Sequence, residues 1–466
     1  MVNPIPPGLK KIWDNWNIRG LMLFSLFLQT FLILFAPLRK RTGHKLIIML
    51  IWSVYLVADW AANFAVGLIS DSQRDTHDNQ RNCTCDSQRH NSTSDPAENN
   101  YLLAFWPPFL LLHLGGPDTI TAFALEDNEL WLRHLLGLVF QVVAAVYVFL
   151  QSLPQTKLAI PTLLMFLAGA IKYLERTRAL YLASLDKFRD SMLKEPDPGP
   201  NYAKLMDDIA SKKEANIPTM IILRGEQSDE KPITSVENSN RMDDVEVVHH
   251  AYRFFEIFKG LIVDLIFSFQ ERNESRYFFL NLNAEDALRV IEVELNFIYE
   301  ALYTKVQVVH SKFGYCTRFI SFASVVTSLS FFYFKVKKSG FDEIDVVITY
   351  ALFWGAIALD TVAFFMLIFS DWTFAVLYDP KNESKMLRKY IAATIGWFLI
   401  FKRPRCYEHK KHSCKLLATP FLLRRWSGDV PGHNLIKYCL KGRPHNFPKV
   451  RDYVYRFTKK FIPGMI

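Results

Sequence analysis

Cysteine is scarce in this chain, and the short catalytic signatures are missing from it. Six cysteines are scattered over 466 residues, too few and too far apart for a disulfide scaffold. Cys83 and Cys85 are too close in sequence to bond comfortably to each other, while Cys316, Cys406, Cys414 and Cys439 fall near or inside segments expected in the cytosol. No Walker loop, Gly-x-Ser-x-Gly elbow, His-Glu-x-x-His helix, dinucleotide glycine motif or EF-hand occurs, which lowers the expectation of an enzyme without removing it. A cleavable leader is not expected, because the first apolar run has no small-residue cleavage site and ends at Ala36-Pro37-Leu38 before a basic cluster.

What the chain does have is apolar length. Half of its residues are hydrophobic, with 38 Phe, 19 Tyr and 10 Trp, yet the mean hydropathy is near zero. Apolar runs must therefore alternate with strongly polar ones. A hydrocarbon layer of roughly 30 Å needs about 20 mostly apolar helical residues, since backbone amides left unpaired in lipid are costly. Seven stretches are candidates: about 18–37, 46–69, 101–124, 130–153, 158–175, 316–336 and 346–370. The expected fold is thus all-α, a polytopic membrane protein of about seven transmembrane helices with a helical cytosolic region. The third stretch is interrupted by Pro107-Pro108 and followed by Gly115-Gly116-Pro117, so it is expected to kink, unwind or re-enter.

Charge sets the expected orientation. Arg39, Lys40, Arg41 and Lys45 crowd the first connection, whereas Arg74, Arg81 and Arg89 are spread through the loop at 70–100. The positive-inside bias puts the first connection in the cytosol and the second outside or in the lumen. That second loop carries the glycosylation sequons of Asn82 and Asn91; on the same topology the sequons at Asn273 and Asn382 stay cytosolic and unused. Lys10, Lys11 and Arg19 before the first helix argue the other way.

Four regions follow from this topology: a membrane region over 1–175, a cytosolic region over 176–315, a helix pair over 316–370 and a basic cytosolic tail over 371–466. The tail carries 20 Lys plus Arg against 6 Asp plus Glu, a net +14, which leaves −5 for the remainder of a chain whose net charge is +9. Attached to membrane helices, such a tail more simply faces an anionic leaflet than nucleic acid. Residues 193–244 read as a flexible linker. In Ala284 to His310, Ala287, Leu288, Ile291, Leu295, Ile298 and Leu302 recur at helical steps with Asn283 as N-cap, which predicts an amphipathic helix against a partner helix or a membrane.

Ionisable groups inside the spans are the chemical leads, because each costs free energy in hydrocarbon. Asp59 and Asn63 share a helix face, and Asp360 lies deep in the seventh span; Lys172, Arg133 and His134 are available to pair with them. The densest polar block holds His113, Asp118, Glu126, Asp127, Glu129, Arg133 and His134, with Pro117 placed to start a new helix and Glu129 placed to bridge to Arg133. Such a block is either a cation or proton site at a broken helix or an interfacial turn joining two spans. His113 and Asp118 also have the spacing of a general base and its orienting carboxylate, a pattern common by chance among 12 histidines. Cys406, His409, His412 and Cys414 lie too close together for the two separated ligand pairs of a structural zinc site and read as a solvated basic turn. No catalytic residue, cofactor or metal is assigned.

Longer patterns add a resemblance. IWDNWNIRGLMLFSLFLQTFLILFAPLRKRT, LLAFWPPFLLLHLGGPDTITAFALEDNELWLRHLLGL, AEDALRVIEVELNFIYEALYTK, RRWSG and NLIKYCL, spread from about Trp13 to Leu440, resemble the plant membrane proteins grouped as domain of unknown function 4220. The resemblance implies a plant origin and an integral membrane location, in the plasma membrane or an endomembrane. It supplies no reaction, ligand or catalytic residue. Nothing after Leu440 resembles the further short C-terminal domain of many members, which would make this chain a short or truncated one. The leading expectation is a non-enzymatic anchor for cytosolic protein partners, in signalling or defence. A transporter or channel using Asp59, Asp118, Glu126 and Asp360 comes second, and a lipid-modifying enzyme at His113 and Asp118 third.

Overall fold

Apolar stretches pair their own amides as helices, and four of those in the computed structural model are long and apolar enough to cross a membrane: Trp16–Arg41, Lys45–Ser72, Lys312–Lys335 and Glu343–Ile368. The structure describes residues 7–82, 102–152, 157–192, 211–212, 214, 242–265, 269–338, 340–377, 405–407, 416–418 and 424–427. Among these the regular structure is helical apart from an antiparallel ribbon of two three-residue strands, β1 (Arg405–Tyr407) and β2 (Leu416–Ala418). The four long helices turn much of their apolar surface outward: Phe334 is 78% exposed, Phe319 74% and Leu46 70%. Water would not tolerate so many large uncovered side chains, so these helices mark an integral membrane protein.

Helix α1 (Pro7–Phe35) ends at Pro37 and a short turn of helix, α2 (Leu38–Arg41), before α3 (Lys45–Asn82). α3 continues 13 residues into the expected loop at 70–100, because no glycine or proline stops it there. It carries Asn82 as its last residue; Asn91 lies outside the described residues.

The third stretch is no continuous span. Pro107 and Pro108 occupy the first turn of α4 (Pro107–Leu114), where a missing amide hydrogen is tolerated. Eight residues reach only about 12 Å. Gly115 and Gly116 then end the helix, Gly116 with a φ of +66°. Pro117 starts no new helix, since irregular backbone continues to α5 (Leu125–Glu129). Seven of the eight α4 residues are buried, so the interrupted segment runs through protein instead of lipid. Phe105 stacks on Phe332 with ring centres 5.9 Å apart, Phe109 meets Phe353 edge-on at 5.0 Å, and Trp106 Nε1 donates to Thr349 Oγ1 at 3.0 Å.

α6 (Trp131–Ser152) and α7 (Ala159–Ala183) follow, then α8 (Leu185–Asp190). α9 (Asp244–Phe258), α10 (Phe269–Asn281), α11 (Ala284–Tyr303) and α12 (Val306–Val309) lead to α13 (Lys312–Lys335), α14 (Glu343–Ile368) and α15 (Asp371–Leu377). α1 and α14 run side by side in the same direction: Arg19 meets Asp342 and Asp345 at their starts, and Leu26 abuts Gly355 farther along.

A second apolar core joins Phe254 and Phe255 of α9 to Val290, Val293 and Phe297 of α11 and Trp372 of α15. The buried face of α11 is therefore only partly the expected stripe: Leu302 is buried and Ile298 packs at the edge of the core, but the rest of the face differs. Leu288 and Ile291 are 49% and 39% exposed, while the parallel stripe Val290, Val293, Phe297 and Ala301 packs against the aromatic side chains of α9. Asn283 does stand at the helix start, without a side-chain capping bond. α15 belongs to this core and not to a separate tail, because Trp372, Phe374 and Ala375 bury against it.

Candidate functional site

A helix that ends inside a bundle leaves carbonyls pointing at nothing, and two cations answer them here. Arg176 Nη1 donates to the Leu114 carbonyl at 2.9 Å, and Lys305 Nζ donates to that of Gly116 at 2.8 Å. Positive side chains also suit the negative end of α4. α7 supplies three groups within two turns, Lys172, Glu175 and Arg176, because a spacing of three or four residues returns to one helix face. The chain passes so close to Lys172 that a Cβ on Gly115 would stand 2.7 Å from the Lys172 Cβ. Glycine is required there by proximity.

Each cation has an acid. Arg176 holds Asp59 at 2.7 and 2.8 Å, Lys172 holds Asp360 at 2.7 Å, and Arg318 grips Asp118 at 2.5 Å while reaching Glu175 at 3.5 Å. Lys305 lies 3.9 Å from Asp118. Burial pushes the Lys305 ammonium down to about 7, against the pull of Asp118. Counted as formal charges, the four acids and four cations of this cluster cancel.

Beside Lys172 and Asp360 lies a cavity with about 40 Å³ of room for water centres, lined also by Gln29, His113, Gly116 and Asp118. That space suits a few waters. His113 is 2% exposed, its Nδ1 lies 2.9 Å from Ser25 Oγ, and its Nε2 has no hydrogen-bond partner. Asp118 is turned to Arg318, so the base and orienting carboxylate expected of His113 and Asp118 do not form.

The sequence block is thus partly brought together. Asp118, His113 and Asp360 share the cavity, and Asp59 stands by Arg176. Asn63 Nδ2 donates to the Asp59 carbonyl, and its Oδ1 accepts from Gln141 at 2.5 Å. Asp127 accepts the amides of Phe123 and Ala124, a capping role at the start of α5. Glu126 and Arg133 are exposed, and His134 is half-buried. Glu129 accepts the Leu185 amide at 2.7 Å, so it anchors α8 and does not bridge to Arg133. Glu175, Arg176, Lys305 and Arg318 were not legible as site residues. Arg318 was the available signal, a cation near the start of an apolar run.

Among the described residues no three His, Cys, Asp or Glu side chains gather as metal ligands would. Cys406 lies in β1, while His409, His412 and Cys414 lie outside the described residues. Ser25 Oγ stands 2.9 Å from His113 Nδ1, but Nε2 of that ring has no partner to orient it; the charged groups bind α4 to α3, α7, α13 and α14.

The model of a family described as Domain of unknown function (DUF4220) matches residues 52–439. No curated protein and no solved structure matches the chain.

Proposed function

The chain belongs to the DUF4220 family, and from that premise we propose that it is a multi-pass, non-enzymatic anchor that presents α9, α10, α11 and α15 to protein partners on the cytosolic face. The observation that carries this reading is the charge cancellation in the bundle, which leaves the intramembrane acids holding helices together. The surface free to act is then the second core, where Tyr277, Leu280, Leu288 and Ile291 stay exposed.

Seven crossings are supported by α6 and α7, which also turn Leu132, Phe140, Leu163 and Leu167 outward, with the interrupted α4 segment as the third. The pairing of ends agrees: Lys40 meets Glu300 at one end, and Arg19 meets Asp342 at the other. A plant origin, a plasma-membrane or endomembrane setting and a role in signalling or defence rest on resemblance alone.

Proximity labelling with the full chain and with Leu288→Lys/Ile291→Lys tests the anchor. A reproducible set of cytosolic neighbours that shrinks in the variant is expected; an unchanged set, or none, removes the reading. The cavity beside Asp360 favours a second reading, movement of a small solute. Reconstituted protein that moves no ion or solute, or moves it equally after Asp59→Asn and Asp360→Asn, would eliminate it.

A further inference from the structure

Charges inside the bundle cancel, but those at the turn between the first two apolar helices do not. Residues 39–45 hold Arg39, Lys40, Arg41 and Lys45, and Glu300 pairs with Lys40 at 2.7 Å. Lys40 spends a second hydrogen on Asn296 at 2.5 Å. Arg39 lies over the ring of Phe123 at 4.0 Å and of Tyr303 at 4.7 Å, and its buried Nη1 has no acceptor. Arg41 is half-buried, and its Nε has no acceptor either. Glu300 acts on Arg41 only through space and leaves its own Oε2 unpaired. Of the other acids nearby, Glu126 is exposed, Asp127 is spent on two backbone amides, and Asp371, on the far side of Asn296, is held by Arg425. His44 and Lys45 are exposed beside the turn.

A guanidinium N–H withdrawn from water without an acceptor is costly, and the fork of donors on the group matches a phosphate. The turn also joins two helices apolar enough to cross a membrane, and the ends of such helices meet the layer of lipid headgroups. We propose that residues 39–45 form a binding site for a phosphate oxyanion, with Arg41 as the chief donor and Arg39 and Lys45 supplying further positive charge. The phosphate of an anionic lipid headgroup is the source that the position favours. This site is independent of what docks on the second core.

The test uses the full chain purified in detergent. Native mass spectrometry compares phosphatidic acid with phosphatidylcholine of the same acyl chains, and thermal unfolding compares inorganic phosphate with chloride at equal ionic strength. Phosphatidic acid is expected to bind in preference, with affinity about tenfold weaker in Arg41→Gln, in line with loss of a charged hydrogen bond. Arg41→Lys keeps part of that affinity, and Lys337→Gln, beyond the far end of α13, leaves it unchanged. Protection by inorganic phosphate in the wild type but not in Arg41→Gln would identify the free ion as the source. Lys45→Gln, an exposed change that spares the fold, is expected to weaken binding severalfold. Equal binding of the two lipids, or wild-type affinity in both Arg41→Gln and Lys45→Gln, overturns the site.

Discussion

Asp59 of α3 and Arg176 of α7 close a two-point ion pair at 2.7 and 2.8 Å, across 117 residues of sequence. The same guanidinium caps the Leu114 carbonyl at 2.9 Å. One side chain therefore ties the second membrane helix, the interrupted segment and α7 together.

Removing Arg176 strands both partners. Arg176→Met is expected to destabilise the detergent-solubilised protein by about 3 kcal/mol, the usual size for breaking a buried pair. Asp59→Leu/Arg176→Met should recover part of that loss, because no charge is then left unpaired. Thermal unfolding of both variants checks this, and a double variant weaker than the single one would contradict it.

The crossing of α4 and α7 is closed to larger side chains. A Cβ on Gly169 would lie 3.0 Å from the Pro108 carbonyl oxygen and 3.1 Å from the Leu111 Cβ. Gly169→Ala is expected to cost about 1–3 kcal/mol, as overpacked cores do, and Gly169→Leu to prevent monodisperse folding. Size-exclusion elution and melting temperature read the difference. Gly20, with open space around its Cβ position, accepts alanine without loss.

Glu294 of α11 is 7% exposed, and burial pushes its carboxyl from 4.5 up to about 7. Between those two values the unfolded chain gives up a proton that the folded one keeps. Stability should therefore fall as the pH rises through that window and level off above it, by on the order of 1.4 kcal/mol per pH unit. Glu294→Gln should flatten the profile between pH 5 and 8. A wild-type profile that rises over the same range would refute the assignment.

Arg425 holds Asp371 through two hydrogen bonds at 3.0 and 3.1 Å, while the amides of Arg425 and Trp426 both donate to Glu292 at 3.2 Å. This places the Arg-Arg-Trp-Ser motif on α11 and α15. Arg425→Ala is expected to quicken proteolysis near residues 424–427 severalfold, with the bundle left intact; an unchanged cleavage rate would show that the pair holds nothing.

The long helices were legible because unbroken apolar length has one physical solution in lipid. Lys172 was legible as one of three candidate partners for Asp59 and Asp360, since each charge inside an apolar helix needs another; which acid it would take was not. Arg176 was hidden by its position just beyond an expected boundary at residue 175, and Lys305 by lying in a turn far along the chain. Neither shows its partner through spacing, because the contacts run between helices. The misread face of α11 has a different cause: two apolar stripes coexist on that helix, and only the aromatic side chains of α9 decide between them. The interruption at Gly115-Gly116-Pro117 was visible, but its burial at the centre of the bundle depended on neighbours from four other helices.

Asp118 and Arg318 stand 200 residues apart in the chain, which gives the interrupted segment a history as well as a shape. A ribosome adding about 5–20 residues each second needs roughly 10–40 s to deliver that arginine after the aspartate. Through that interval Asp118 lacks the arginine that it grips in the finished fold, so the lining of the half-helix is completed only once α13 emerges. Truncation before α13 should therefore leave the nascent chain recognisable to quality control, whatever the sequence of its first two hydrophobic helices.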